Sequence, residues 1–187
     1  KHLLLSKRKA LQLSKLKLLE AMGCPDYIEL VSIIPNDFSA QPAIFNERTL
    51  LELAIKNREP LYRSIYLYNE DAVDYAEGSN SLRNYYGERA IDNIIIDIDK
   101  KDNSDDLTLR NTQAILFRLE TELGVPQSAI QVYFSGTGYH VAITNEVFEF
   151  TPNKELPFQL KETMVALFDG IDTSIYMRTG LYRVAHT

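Results

Sequence analysis

Two aspartates closing an isoleucine-rich run are the residues in this chain best placed to do chemistry. The stretch reads Asn93-Ile94-Ile95-Ile96-Asp97-Ile98-Asp99-Lys100. Clustered β-branched side chains predict a strand buried on both faces. Alternate side chains of a strand share a face, so Asp97 and Asp99 point the same way. Two like charges at the end of a buried strand repel each other across a poor dielectric. A divalent cation that prefers hard oxygen ligands, Mg²⁺ or Mn²⁺, relieves that repulsion. The plainer alternative is that both carboxylates simply end the strand in solvent.

A second constellation is Phe134-Ser135-Gly136-Thr137-Gly138-Tyr139-His140. Its two glycines permit positive φ and free backbone N–H groups to face an anion. Ser135 adds a hydroxyl donor and His140 a ring donor, so the segment reads as a cradle for nucleotide phosphates. No Lys-Ser/Thr pair follows the glycines, which excludes a Walker loop. A strand rather than a helix follows, which excludes a dinucleotide fingerprint. The alternative here is an ordinary glycine-containing hairpin with a core histidine.

The bulk numbers set the frame. A chain of 187 residues, 45% hydrophobic and 25% charged, has room for one large soluble domain, with or without a small appendage. A single cysteine, Cys24, excludes an intrachain disulfide and fits a reducing, intracellular setting, the cytoplasm of a cell or of a viral host. No apolar run approaches a bilayer span, so no membrane partner is expected. The net charge of −6 argues against sequence-blind duplex binding. That charge is uneven, since the first twenty residues carry +5 and the remainder −11. The chain starts at Lys1 and stops at Thr187 inside an unfinished motif, which reads as a C-terminally truncated fragment.

In chain order, leucines at partly helical spacing predict a helix over 3–22, stopped by Gly23. Its basic residues suit the solvated face of a packed helix better than a phosphate or membrane contact. Pro25, Pro35 and Pro42 break up 24–46, where 27–34 could form a short strand or helix. A helix over 49–57 precedes Pro60, and the aromatic stretch 61–68 predicts a strand. Helices are expected at 71–77, at about 105–123 and at 157–168. Strands at 130–134 and 139–144 flank the glycine turn. Residues 169–172 read as a turn.

Taken together, a strand ending in DxD, a long helix, a strand, S-G-x-G-x-H, a strand, a helix, an isolated aspartate and downstream arginines resemble the archaeo-eukaryotic primase superfamily. That family is the catalytic fold of primase small subunits and of primase-polymerases. Its first motif is matched by Ile96-Asp97-Ile98-Asp99, and the acidic run from Lys101 to Asp106 resembles the continuation seen in primases. Its second is matched by Phe134 to His140. Its third, a metal carboxylate, is matched by Asp172, with Asp169 the weaker candidate. Arg183 matches a basic residue that contacts phosphate in the family. Tyr62-Arg63-Ser64-Ile65-Tyr66 resembles the first core strand. The resemblance covers 61–187; no zinc-binding cluster of the kind many primases carry is present.

What the resemblance implies is an α+β fold. An RRM-like antiparallel sheet with flanking helices would join an N-terminal α/β element, with the site in the cleft between. An N-terminal helical segment over 1–60 would precede a catalytic core over 61–187. The implied activity is DNA-templated nucleotidyl transfer, making or extending primers from NTPs or dNTPs. Asp97, Asp99 and Asp172 would hold two Mg²⁺ or Mn²⁺ ions. Ser135, Gly136, Thr137, Gly138 and His140 would hold the nucleotide phosphates, with Arg178 and Arg183 adding contacts. The partners would be a single-stranded DNA template and nucleoside triphosphates, with a helicase or helical template-binding domain in a missing C-terminal part. Two other classes stay open. One is a metal-dependent phosphohydrolase or nuclease, although Lys101 stands where haloacid dehalogenase phosphatases usually carry Thr or Val. The other is a non-catalytic RRM-like module binding single strands through aromatics such as Tyr133 and Tyr139.

Overall fold

The structure, a computed structural model, describes residues 28–33, 61–79, 82, 84–100 and 104–183. The helices expected over 3–22 and 49–57, Lys101, His186 and Thr187 lie outside the described residues. Within the described part, helices and two small antiparallel sheets alternate along the chain, an α+β arrangement.

The first sheet is built on the aromatic strand. Strand β1 (Ile28–Ile33) runs antiparallel to β2 (Leu61–Tyr68) over its whole length, with a register shift between Glu29 and Val31. A strand has only two edges, so β3 (Arg89–Ala90) and β7 (Leu181–Arg183) share the other edge of β2 in tandem. β3 pairs at Leu67 and Tyr68, β7 at Tyr62, Arg63 and Ser64. The 28–33 segment is therefore a strand, and it belongs to the same sheet as the first strand of the expected core.

The second sheet carries the motifs. Strand β4 (Asn93–Ile98) and strand β5 (Ile130–Phe134) both run antiparallel to the central β6 (Tyr139–Thr144), in the order β4-β6-β5. Helix α2 (Asp105–Thr121) connects β4 to β5 and packs on β4 and β6. It starts at Ser104, whose hydroxyl accepts the Leu107 N–H at 3.2 Å. Helix α3 (Leu156–Leu167) follows β6 and packs against the 3-10 turn Thr173–Tyr176. A shorter helix, α1 (Glu70–Ser79), follows β2. Among the described residues, no helix is long and apolar enough to cross a membrane.

Ile94, Ile96 and Ile98 join Val141, Ile143, Ile115, Leu119, Leu160 and Met164 in one core. Ile95, on the opposite side of β4, is also buried, so the strand is covered on both faces as its composition required. The chain segment 172–183 ties the two sheets together. It leaves the outer edge of β4, where Tyr176 donates its hydroxyl to the Ile95 carbonyl at 2.8 Å, and ends as β7 on the edge of β2.

Buried tyrosines line this junction. Tyr66 is fully enclosed, and its hydroxyl has no hydrogen-bond partner among the described residues. Burial pushes the phenols of Tyr66, Tyr68 and Tyr176 well above their ordinary value of 10.0; for Tyr176 the Asp97 carboxylate adds to the shift. A raised folded-state pKa means that the folded chain keeps protons the unfolded chain releases. Stability from these groups is therefore complete below pH about 10 and lost as pH rises beyond it. Two isosteric substitutions should behave oppositely. Tyr176→Phe orphans a buried carbonyl and should cost about 1–3 kcal/mol in urea unfolding. Tyr66→Phe removes a buried hydroxyl with no partner and should be neutral or stabilising, and should weaken the alkaline loss of stability. Equal destabilisation by both would contradict the assignment.

Candidate active site

The site grows from the β4–β6 pairing. Asp97 stands directly opposite His140 in the register. The Asp97 carbonyl accepts a hydrogen bond from the Asp172 N–H at 2.8 Å, across the outer edge of β4. A strand residue turns its N–H and C=O to the same side, so Asp97 and His140 form a non-hydrogen-bonded pair. Such pairs bring their Cα atoms to about 4.5 Å and their side chains closest together. His140 Nε2 accordingly lies 3.4 Å from Asp97 Oδ1, with the side chains only 5% and 18% exposed. That oxygen is buried and accepts no hydrogen bond among the described residues. On its other side the His140 ring meets Tyr182 of β7 edge-on, at 5.7 Å between centroids. The histidine is therefore enclosed between the sheets, yet its ring reaches the carboxylate.

The glycine hairpin closes over the end of β4. Ser135 N–H donates to the Gly138 carbonyl at 2.9 Å, and Gly138 N–H donates to Ser135 Oγ at 3.0 Å. Each glycine has its own physical reason. Gly136 has φ +103°, a conformation that side chains resist. At Gly138, a Cβ would fall 2.1 Å from the Ile98 carbonyl oxygen and 3.1 Å from Asp99 Cα. The hairpin thus rests on the main chain that presents Asp99. The guanidinium of Arg183 lies against Gly136, with Nη1 3.1 Å from where a Cβ would be.

These contacts gather Asp97, Asp99, Asp172, Ser135, Gly136, Gly138, His140 and Arg183 around one end of β4. Thr137 sits exposed at the hairpin tip. Three expectations need correction. Gly138 N–H and Ser135 Oγ satisfy each other inside the loop, so that amide is not turned outward to an anion. Arg178 does not lie against the hairpin; its guanidinium sits 4.5 Å from the centroid of the exposed Tyr86 ring. Tyr133 and Tyr139 also fail to form one platform. Tyr133 pairs with His140, whereas Tyr139 pairs with Phe134 on the opposite face. That parity could have been read from the sequence, since a hairpin register fixes it.

The donors suit a hard divalent cation, with a buried carboxylate oxygen at Asp97, a second carboxylate two residues on at Asp99, and a third at Asp172, one backbone hydrogen bond away. The cage is not drawn closed. Among the described residues no three His, Cys, Asp or Glu side chains are gathered at cation-binding distance. Asp172 Oδ1 instead caps the Ser174 N–H at 2.8 Å. Lys100 is engaged by Asp105 at 2.8 Å, which turns it toward the start of α2.

Sequence reasoning passed over Arg89, the largest fully buried side chain. Nothing in its sequence neighbourhood distinguishes it from a surface arginine.

Gly138→Ala should lower the unfolding free energy by about 1–3 kcal/mol, because the added methyl meets a carbonyl oxygen that cannot move without β4. Thr137→Ala, at the exposed tip, should change it by less than about 0.5 kcal/mol. Urea midpoints measured side by side check the contrast, and equal midpoints would mean the hairpin does not rest on β4. In comparisons with protein-family models, curated proteins and solved structures, the chain has no significant match to any of them.

Proposed function

We propose that this chain is a nucleotidyltransferase of the archaeo-eukaryotic primase type, which makes or extends primers on a single-stranded DNA template. The observation that carries the reading is the convergence on Asp97. Its side chain meets His140 at 3.4 Å and its carbonyl meets the Asp172 amide at 2.8 Å. Three motifs far apart in the chain thereby come to one place. The strand order supports the reading too. A β-α-β-β-α run with its three strands ordered first-third-second is the RRM-like pattern, with segment 172–176 beside β4 where a fourth strand would lie.

In this reading Asp97, Asp99 and Asp172 would hold two Mg²⁺ or Mn²⁺ ions. Bound there, the metals would activate a primer 3′-hydroxyl and neutralise charge on the leaving phosphates. The chain's own groups do the positioning. His140, fixed between Tyr182 and Asp97, presents a ring N–H whose direction the strand pairing sets. Ser135 Oγ accepts from Gly138 and keeps its own proton for a phosphate oxygen. Arg183, lying along Gly136, brings a planar guanidinium whose fork of donors matches phosphate oxygens. Holding triphosphate and hydroxyl in line removes much of the entropic barrier before any bond changes.

The test is primer extension with labelled nucleotides in Mg²⁺ and in Mn²⁺, with release of mononucleotides followed in the same reactions. The expected result is extension by the wild type. Asp97→Ala and Asp99→Ala should lose it by at least about 10³-fold while keeping the far-UV spectrum. His140→Ala should weaken nucleotide binding more than template binding. Extension that survives Asp97→Ala, or mononucleotide release without extension, would overturn the proposal in favour of no role for the motif or of hydrolysis.

A further inference from the structure

Arg89 is fully buried, and among the described residues no carboxylate pairs with it. Its guanidinium donates to three main-chain carbonyls. Nε donates to Arg178 O at 3.0 Å, Nη1 to Gly87 O at 2.6 Å and Nη2 to Tyr85 O at 2.6 Å. The rings of Tyr66, Tyr68 and Tyr85 stand 5.2–6.0 Å from its Cζ. Its own N–H and C=O exchange hydrogen bonds with Asn153 at 3.2 and 3.0 Å. Enclosing a cation this way carries a desolvation cost of several kcal/mol. The hydrogen bonds that offset that cost, with those of its main chain, hold three separate stretches of backbone relative to one another.

Those stretches carry three exposed side chains that meet. Tyr85 and Gly87 bracket Tyr86, Asn153 precedes Lys154, and Arg178 is held directly. The Tyr86 ring is 47% exposed. Arg178 lies 4.5 Å and Lys154 5.6 Å from its centroid. The acid at hand, Glu155, accepts a hydrogen bond from the Tyr86 hydroxyl, which ties down the phenol end of the ring. An acidic chain thus maintains a rigid local patch of one aromatic ring and two cations, on residues the catalytic reading does not use.

We propose that the Tyr86–Arg178–Lys154 patch is a binding site for single-stranded nucleic acid. A nucleobase stacks on the Tyr86–Arg178 pair, and the adjoining phosphate lies between the guanidinium and the Lys154 ammonium. Stacking surfaces interleaved with cations match the alternation of base and phosphate in an unpaired strand. A duplex hides its base faces and offers only the phosphates. Preorganisation by Arg89 lowers the ordering cost on binding. The inference deepens the proposed function, because it assigns the patch to the template strand.

Binding can be measured without catalysis. A short fluorescein-labelled oligodeoxythymidine is titrated in EDTA with the whole chain, and affinity is followed by anisotropy across a range of salt. Tyr86→Ala should weaken binding about tenfold, while Tyr86→Phe, which keeps the ring, should bind as the wild type does. Arg178→Gln should lower the slope of log K against log salt by about 0.7, the value for one phosphate contact on a single strand. All three side chains are exposed, so urea midpoints should not move. Unchanged affinity in Tyr86→Ala and Arg178→Gln would overturn the inference, as would absence of wild-type binding, equal losses on a duplex, or equal displacement by polyglutamate. The arms separate from the extension assay. Normal extension with unaffected binding in the patch variants removes the patch alone. Patch-dependent binding by a chain that never extends a primer removes the polymerising reading alone.

Discussion

A carboxylate at the end of a strand of isoleucines must find compensation, and most of the site can be understood from that need. Asp97 occupies a position where its Oδ1 is buried and accepts no hydrogen bond among the described residues. A buried acceptor in that condition is expensive. The fold surrounds it with groups that reduce the cost without removing it. His140 faces it across a non-hydrogen-bonded pair, and Asp172 and Tyr176 bind the outer edge of its strand. What remains unsatisfied is the feature that makes the position suited to a cation.

The same economy explains why the outer edge of β4 is not a free strand edge. Exposed edges pair with other chains unless something covers them. Here the cover is segment 172–176, which supplies an amide to Asp97 and a phenol to Ile95 before continuing into β7. One stretch of chain therefore blunts an edge, brings Asp172 against Asp97 and joins the two sheets. Arg89 plays a comparable part on the other side of the junction, binding carbonyls of 85–87 and of Arg178 through its guanidinium and Asn153 through its main chain. Both devices use few residues to fix relative positions, which is what a site built from distant segments requires.

Local patterning made much of this legible. The strands 61–68, 130–134 and 139–144 were readable from aromatic and β-branched content flanked by Gly and Pro, and their bounds agree with the structure. Helix α2 was readable from its apolar spacing and its glycine stop, although it ends at Thr121, two residues before the expected Leu123. Asp97 and Asp99 could be placed on one face by the period of a strand alone. Gly136 and Gly138 were recognisable as a turn. Gly136 takes its positive φ within the turn itself, whereas the steric limit at Gly138 comes from a strand more than thirty residues earlier in the chain.

Sequence by itself determined most of the longer strands and helices, because those follow from backbone periods a few residues long, but it left 27–34 open and did not show the short strands 89–90 and 181–183. It could not place Asp172 beside Asp97, lay Arg183 along Gly136 or carry Arg178 away to Tyr86. Nor could it distinguish the buried Arg89 from an ordinary surface cation. Those outcomes are pairings between segments far apart in the chain. They are decided by which edges and carbonyls remain unsatisfied once the sheets have formed, and only the tertiary structure contains that information.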